Sequence, residues 1–173
     1  RKGDFGIDLV FRRMKLNEFL VRFDLTHPLV RAYKEGTVCV VDSFRAELAH
    51  KRAVLELLTD ETVMSKFPAS ERKAIAELIP WTRVVKPGKT TYKGQSIDLL
   101  EYVLKHRESF VLRPNTDAGE SATYFGPSLT DEAWDRALKI TQRTPYVVQE
   151  AVPAVSEEFP VYQFGSVQPK MLQ

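Results

Sequence analysis

A strand that runs into a cation and then a proline constrains this chain more than any other stretch. Residues 110–126 read FVLRPNTDAGESATYFG. The β-forming Phe110, Val111 and Leu112 lead to Arg113, Pro114 stops further pairing, and a polar loop with one glycine, Gly119, follows. Residues 145–152, PYVVQEAV, are a second β-branched run, ending in Gln149 and Glu150. Between the two runs, Thr130 is placed to cap a helix in which Trp134, Ala137, Leu138 and Thr141 recur at helical spacing; Asp131 and Glu132 complement its positive end. The expected order is therefore strand, loop, strand, helix, strand. A cation at a strand end, a loop small enough for its amides to approach an anion, and a later strand able to offer its edge to a base together suit a nucleotide. They equally suit an ordinary β-hairpin with a crossover helix, with Arg113 in a surface salt bridge.

With 173 residues, 43% of them hydrophobic and 28% charged, the chain can form one full core or two small lobes and is unlike a disordered segment. Lysines and arginines number 25 against 23 acids, and a net charge of +2 is too small to argue for nucleic acid or a membrane surface. No apolar run approaches the roughly 20 residues that span a bilayer. No signal-like segment is present either, which makes the cytoplasm the expected location. Cys39, the only cysteine, sits in TVCVV and is expected to pack as a small hydrophobe. The opening at Arg1 and the ending SVQPKMLQ suggest a piece of a longer protein.

In the N-terminal half, IDLVFR (residues 7–12) reads as a buried strand, and residues 14–23 as a helix through Leu16, Phe19, Leu20 and Phe23. A short helix over 29–34, a strand over 37–41 and one long helix from Asp42 or Ser43 to Leu58 follow, with His50, Lys51 and Arg52 at its middle. Two shorter helices, around Met64 and around Ile75 and Leu78, end at Pro80. A strand over 82–85 leads into KPGKTTYKG (86–94), taken as a turn-rich boundary, and a helix is expected over 96–106. Thus residues 1–93 read as a helical and strand linker lobe and 94–173 as a small β-rich lobe, an α+β chain.

Arg12 and Arg13 end a strand expected to be buried, so at least one should meet an acid or an anionic ligand; Asp4, Asp8 and Glu18 are the nearby acids. Lys51 could reach phosphates, although three adjacent basic residues on a helix more often mark a solvated face. His27, His50, His106 and Cys39 share no metal-ligand spacing, and no Gly-x-Ser-x-Gly elbow, Walker loop or dinucleotide fingerprint is present.

Taken in order, IDLVFRRMKLNEFL, VCVVDSFRAELAHKRAVLELLTD, IPWTRVV, FVLRPNTDAGESATYFG and PYVVQEAV resemble the circularly permuted ATP-grasp proteins, a group similar to glutathionylspermidine synthase and more distantly to D-alanine:D-alanine ligase. The resemblance implies an ATP-grasp-like fragment whose small lobe clamps ATP. It assigns Lys51 and Arg113 to the phosphates, Gly119, Glu120 and Ser121 to the loop that covers them, Gln149, Glu150 and Val152 to the adenine hinge, and Glu158 to the ribose hydroxyls. Arg13, and less closely Arg12, takes the place of the family's arginine pair directed at substrate or phosphate. Arg113 stands where the family usually has lysine, and DAGES replaces its paired glycines. The implied activity is ATP-dependent carboxylate–amine ligation through an acyl-phosphate, with Mg²⁺ ligands expected outside this chain. The alternative is a catalytically degenerate module for nucleotide sensing or protein interaction, and the acid, the amine and the oligomeric state are left open.

Overall fold

The structure is a computed structural model that describes residues 5–116, 122–153 and 155–172. The fold is mixed α+β, with several small sheets. The chain forms two compact units, Arg1–Val54 and Leu55–Gln173; the expected boundary at residues 93 and 94 falls within the second.

In the first unit, β1 (Leu9–Phe11), α1 (Leu16–Arg22), α2 (Pro28–Glu35), β2 (Cys39–Val41) and α3 (Ala46–His50) follow in order. His27 caps α2 by accepting from the Leu29 amide at 3.2 Å, and Pro28 supplies a preset φ at the first helical position. Gly36, at φ 70°, closes it in the left-handed conformation that glycine adopts without a Cβ penalty. Phe19 and Val30 are buried, and Phe19 packs against Phe23, His27 and Phe44 with ring centroids 5.1 to 5.4 Å apart. Strands β1 and β2 pair in parallel, Leu9 opposite Cys39 and Phe11 opposite Val41.

Three expectations fail here. The first strand is not buried: Leu9 is 58% and Phe11 63% exposed, because a two-stranded sheet turns only its Val10 and Val40 face inward. Cys39, on the other face, is exposed. The long helix over 42–58 is broken: α3 ends at His50, Lys51 is extended, and α4 (Val54–Leu58) starts afresh. Asp42 is not its N-cap; at φ 55° it turns the chain after β2, and Arg45 precedes the first helical residue.

The second unit continues with α5 (Glu61–Met64), α6 (Ala69–Leu78), β3 (Thr82–Val84), β4 (Lys89–Tyr92), β5 (Gln95–Asp98), α7 (Leu99–Lys105), β6 (Phe110–Pro114), β7 (Tyr124–Phe125), α8 (Asp131–Thr141), β8 (Tyr146–Glu150), β9 (Glu157–Gln163) and β10 (Ser166–Leu172). Thr130 caps α8, as its sequence position predicts, and Asp60 caps α5. The turn-rich stretch is itself a hairpin, β4 with β5, around Lys93 and Gly94 at φ 48° and 78°. Paired positive φ values give the turn whose twist matches the strands. The helix expected from Ser96 accordingly begins at Leu99, capped by Asp98.

The main sheet has the order β3-β8-β6-β7, antiparallel throughout. Phe110, Leu112, Tyr146 and Val148 project from one face onto Val103 of α7 and Trp134, Ala137 and Leu138 of α8, and all are buried. Opposite them, Val111, Arg113, Val147, Gln149 and Thr82 share the other face by register. Beyond the sheet, β9 and β10 form a separate hairpin with Phe164 and Gly165 at its turn. Its closing pair, Gln163 with Ser166, is hydrogen-bonded in a two-residue hairpin, so alternation puts Pro160 opposite Pro169 at a non-bonded position. Each missing N–H would have pointed outward, so both prolines fit the ladder and blunt its edges.

Two short 3-10 turns, Arg107–Ser109 and Gly126–Ser128, meet at Gly126. A Cβ there would lie 2.1 Å from the Arg107 carbonyl oxygen and 2.5 Å from that of Phe110. Gly126→Ala is therefore expected to lower stability by about 1–3 kcal/mol through overpacking against backbone. Urea unfolding checks this, and an unchanged midpoint would mean that the two turns separate freely.

Candidate functional site

Of the residues expected to meet a nucleotide, Arg113 and Gln149 share the face of the main sheet opposite its α7 and α8 core. Arg113, at the end of β6, donates from Nη1 to Gln149 Oε1 at 3.4 Å across the β6–β8 ladder. Gln149, only 6% exposed, donates from Nε2 to Thr82 Oγ1 at 3.0 Å. Thr82 in turn donates to the Pro80 carbonyl at 2.9 Å. This relay orients the guanidinium from three elements while leaving it partly exposed. Arg113 sits opposite Val147, three residues from Glu150. At about 3.3 Å per strand residue that interval is roughly 10 Å, and its odd residue count puts the two side chains on opposite faces of the sheet.

Glu150 turns to the other side of the sheet. Its Oε1 accepts from Tyr92 Oη at 3.0 Å and from Lys93 Nζ at 3.0 Å, and the Lys93 ammonium lies 5.0 Å from the Tyr92 ring centre. The carboxylate keeps Lys93 protonated well above the ordinary lysine range, and burial pushes the Tyr92 phenol up. The Glu150 amide donates to the Trp81 carbonyl at 2.9 Å and the Ala151 amide to the Ser109 carbonyl at 2.8 Å. Two hinge amides are thus used within the fold. Val152 follows them and is exposed. Glu158 lies farther on, exposed in β9 opposite Met171.

In the first unit one arginine of the Arg12–Arg13 pair meets an acid, as expected. Arg12, 6% exposed, donates from Nε to the Asp42 carbonyl at 2.8 Å and from Nη1 to the Met14 carbonyl, and its Nη2 lies 3.4 Å from Asp42 Oδ2. Arg13 is exposed. Among the described residues the partner is Asp42, brought alongside by the parallel pairing of β1 and β2, and not Asp8 or Glu18; Asp4 lies outside the described residues. Lys51 is half exposed at the end of α3 and pairs with Glu47 at 2.8 Å. That hydrogen bond holds the Glu47 carboxyl below the usual carboxylate range. The phosphate-covering residues Gly119, Glu120 and Ser121 lie outside the described residues.

No family model matches the chain, and no curated protein is significantly similar to it. Among the described residues there is no group of three His, Cys, Asp or Glu that could hold a metal ion, and no helix is long and apolar enough to cross a membrane.

No motif or spacing in the sequence marks Arg83. It is 5% exposed and serves Thr59, Thr82, Thr90 and Thr91, with its guanidinium 4.8 Å from the centre of the Trp81 ring. A charged residue between β-branched neighbours in TRVV was the available signal, since such a position is buried only with partners.

Proposed function

We propose that this chain supplies the ATP-binding part of an ATP-dependent carboxylate–amine ligase of the circularly permuted ATP-grasp type, acting in the cytoplasm. The observation that carries the reading is the Arg113–Gln149 pair, fixed by Thr82 on the sheet face opposite the packed core. The order β6, loop, β7, α8, β8 supports it, because it places the cation and the hinge strand side by side. ATP, when bound, would supply the phosphoryl group that activates a carboxylate for attack by an amine. Arg113 would neutralise phosphate charge with a planar set of donors, and Gln149 would hold that plane in place. Lys51, the other cation that the resemblance assigns to phosphate, belongs to the first unit, where it pairs with Glu47. Mg²⁺ would be held by ligands outside this chain, as the resemblance implies.

The alternative of a degenerate nucleotide-sensing or interaction module is favoured by one observation. The Glu150 and Ala151 amides already serve the Trp81 and Ser109 carbonyls, leaving fewer hinge donors for a base.

Calorimetric titration of ATP, with and without Mg²⁺, tests both readings. Removing one charge-assisted contact worth about 1.5–3 kcal/mol should weaken ATP about 10- to 100-fold in Arg113→Ala. No heat from ATP at millimolar concentration would remove the nucleotide reading. Binding without ADP formation in the presence of varied amines and carboxylates would select the degenerate module.

A further inference from the structure

We propose that the cavity of the first unit, walled by α1, α2 and the turn after β2, binds a straight-chain carboxylate, independently of any nucleotide held by the second unit. The cavity has a volume of about 570 Å³, within the range of small-ligand pockets, about 300–1,000 Å³. Phe19 and Val30, each 5% exposed, form its floor. Phe44 meets the Phe19 ring at a centroid distance of 5.4 Å and the Tyr33 ring at 5.2 Å, edge-on in both pairs, so the aromatic part of the wall is held by its neighbours. Leu16, Leu20 and Leu25 complete the apolar lining, and Leu20 and Leu25 are 50% and 64% exposed. An apolar occupant removes this surface from water.

The charged groups of the cavity have one sign. Lys34, in the last turn of α2, and Arg45, just before α3, both line it, and no carboxylate does. Neither cation has an ion-pair partner among the described residues. The occupant that complements these walls therefore joins an apolar body to an anionic head, and the guanidinium fork of Arg45 matches the geometry of a carboxylate. A two-turn helical segment, about 11 Å long and 10–12 Å wide, takes up roughly 900–1,200 Å³ and would not enter. Size thus selects an alkyl chain over a peptide helix, with the chain against the Phe19 floor and the head toward Lys34 and Arg45.

Calorimetry with sodium octanoate, sodium decanoate and octan-1-ol on the wild type, Leu25→Trp and the double variant Lys34→Gln/Arg45→Gln tests the assignment. All three substituted side chains are exposed, so the packed floor stays intact. Each methylene removed from water adds about fourfold in affinity, so decanoate should bind about 15-fold tighter than octanoate. The double variant should weaken octanoate about 2- to 30-fold, the range for two exposed ion pairs, and leave octan-1-ol unchanged. Leu25→Trp, by taking the space of two or more methylenes, should weaken all three ligands about tenfold or more. No heat from decanoate at millimolar concentration, equal affinities for octanoate and decanoate, or octanoate binding unaltered in either variant would overturn the proposal. A wild-type dimer that Leu25→Trp splits in sedimentation velocity would overturn it too, by making a second copy the occupant. So would co-sedimentation with phosphatidylglycerol–phosphatidylcholine vesicles that both variants lose, which would make the occupant a membrane surface.

Discussion

Arg83→Ala is expected to destabilise the second unit by about 3–5 kcal/mol, the scale for removing one partner of a buried charged network. The guanidinium uses all its donors. Nε reaches Thr90 Oγ1 at 2.7 Å, Nη1 reaches Thr59 Oγ1 at 2.9 Å and the Thr82 carbonyl at 2.7 Å, and Nη2 reaches the carbonyls of Thr59 at 3.2 Å and Thr91 at 3.4 Å. One side chain thereby joins the end of α4, the first strand of the main sheet and the β4–β5 hairpin. Burial lowers the guanidinium's proton affinity, while Glu56, Asp60 and Glu61 nearby favour its charge. Truncation would leave those acids without a buried counter-charge and several carbonyls without a donor. Lysine would not rescue it, because an ammonium cannot reproduce five planar donors. Denaturant unfolding of Arg83→Ala and Arg83→Lys measures the effect; a loss below about 1 kcal/mol would mean that water replaces the network at little cost.

Trp134→Ala should cost a comparable amount, about 3–5 kcal/mol, the usual range for deleting a fully buried large aromatic. Trp134 is 0% exposed, and its Nε1 donates to the Val103 carbonyl at 3.0 Å, so it both fills the space between α8 and the sheet and ties α8 to α7. Alanine leaves a cavity among Phe110, Leu112, Val103 and Leu138 together with an orphaned carbonyl. Trp134→Phe separates the two terms: it keeps most of the packing and should lose about 1–3 kcal/mol. Equal losses in the two variants would show that the hydrogen bond, and not the packing, holds α8 in place. Urea midpoints followed by circular dichroism decide between these outcomes.

These two residues differ in how far the sequence announces them. Trp134 stands in a helix whose cap, acidic first turn and apolar stripe are all encoded within a dozen neighbours, and the structure reproduces that helix with Trp134, Ala137, Leu138 and Thr141 inward. Arg83 is held by residues from position 59 to position 91, and no local pattern names them. The same division runs through the candidate site. Arg113 at the end of a strand stopped by proline, and Gln149 near the end of another, were legible from β-formers and breakers; their hydrogen bond depends on the β6–β8 register.

What the amino-acid order determined by itself was local: helix caps at Asp60 and Thr130, the φ of Gly36, the β-rich runs, and the α+β character they add up to. Tertiary structure decided which charges are paired and which faces are covered. Parallel pairing of β1 with β2 chose Arg12 over Arg13 by setting Asp42 beside it, and left Leu9, Phe11 and Cys39 exposed. It was not helical periodicity but a chain turn that ended α3 at Lys51, where Glu47 takes the ammonium. The hinge amides were likewise claimed by carbonyls of Trp81 and Ser109, 69 and 42 residues earlier in the chain. Caps and periodicities act over a few residues through backbone geometry, whereas burial and ion pairing depend on groups that only the folded chain brings together.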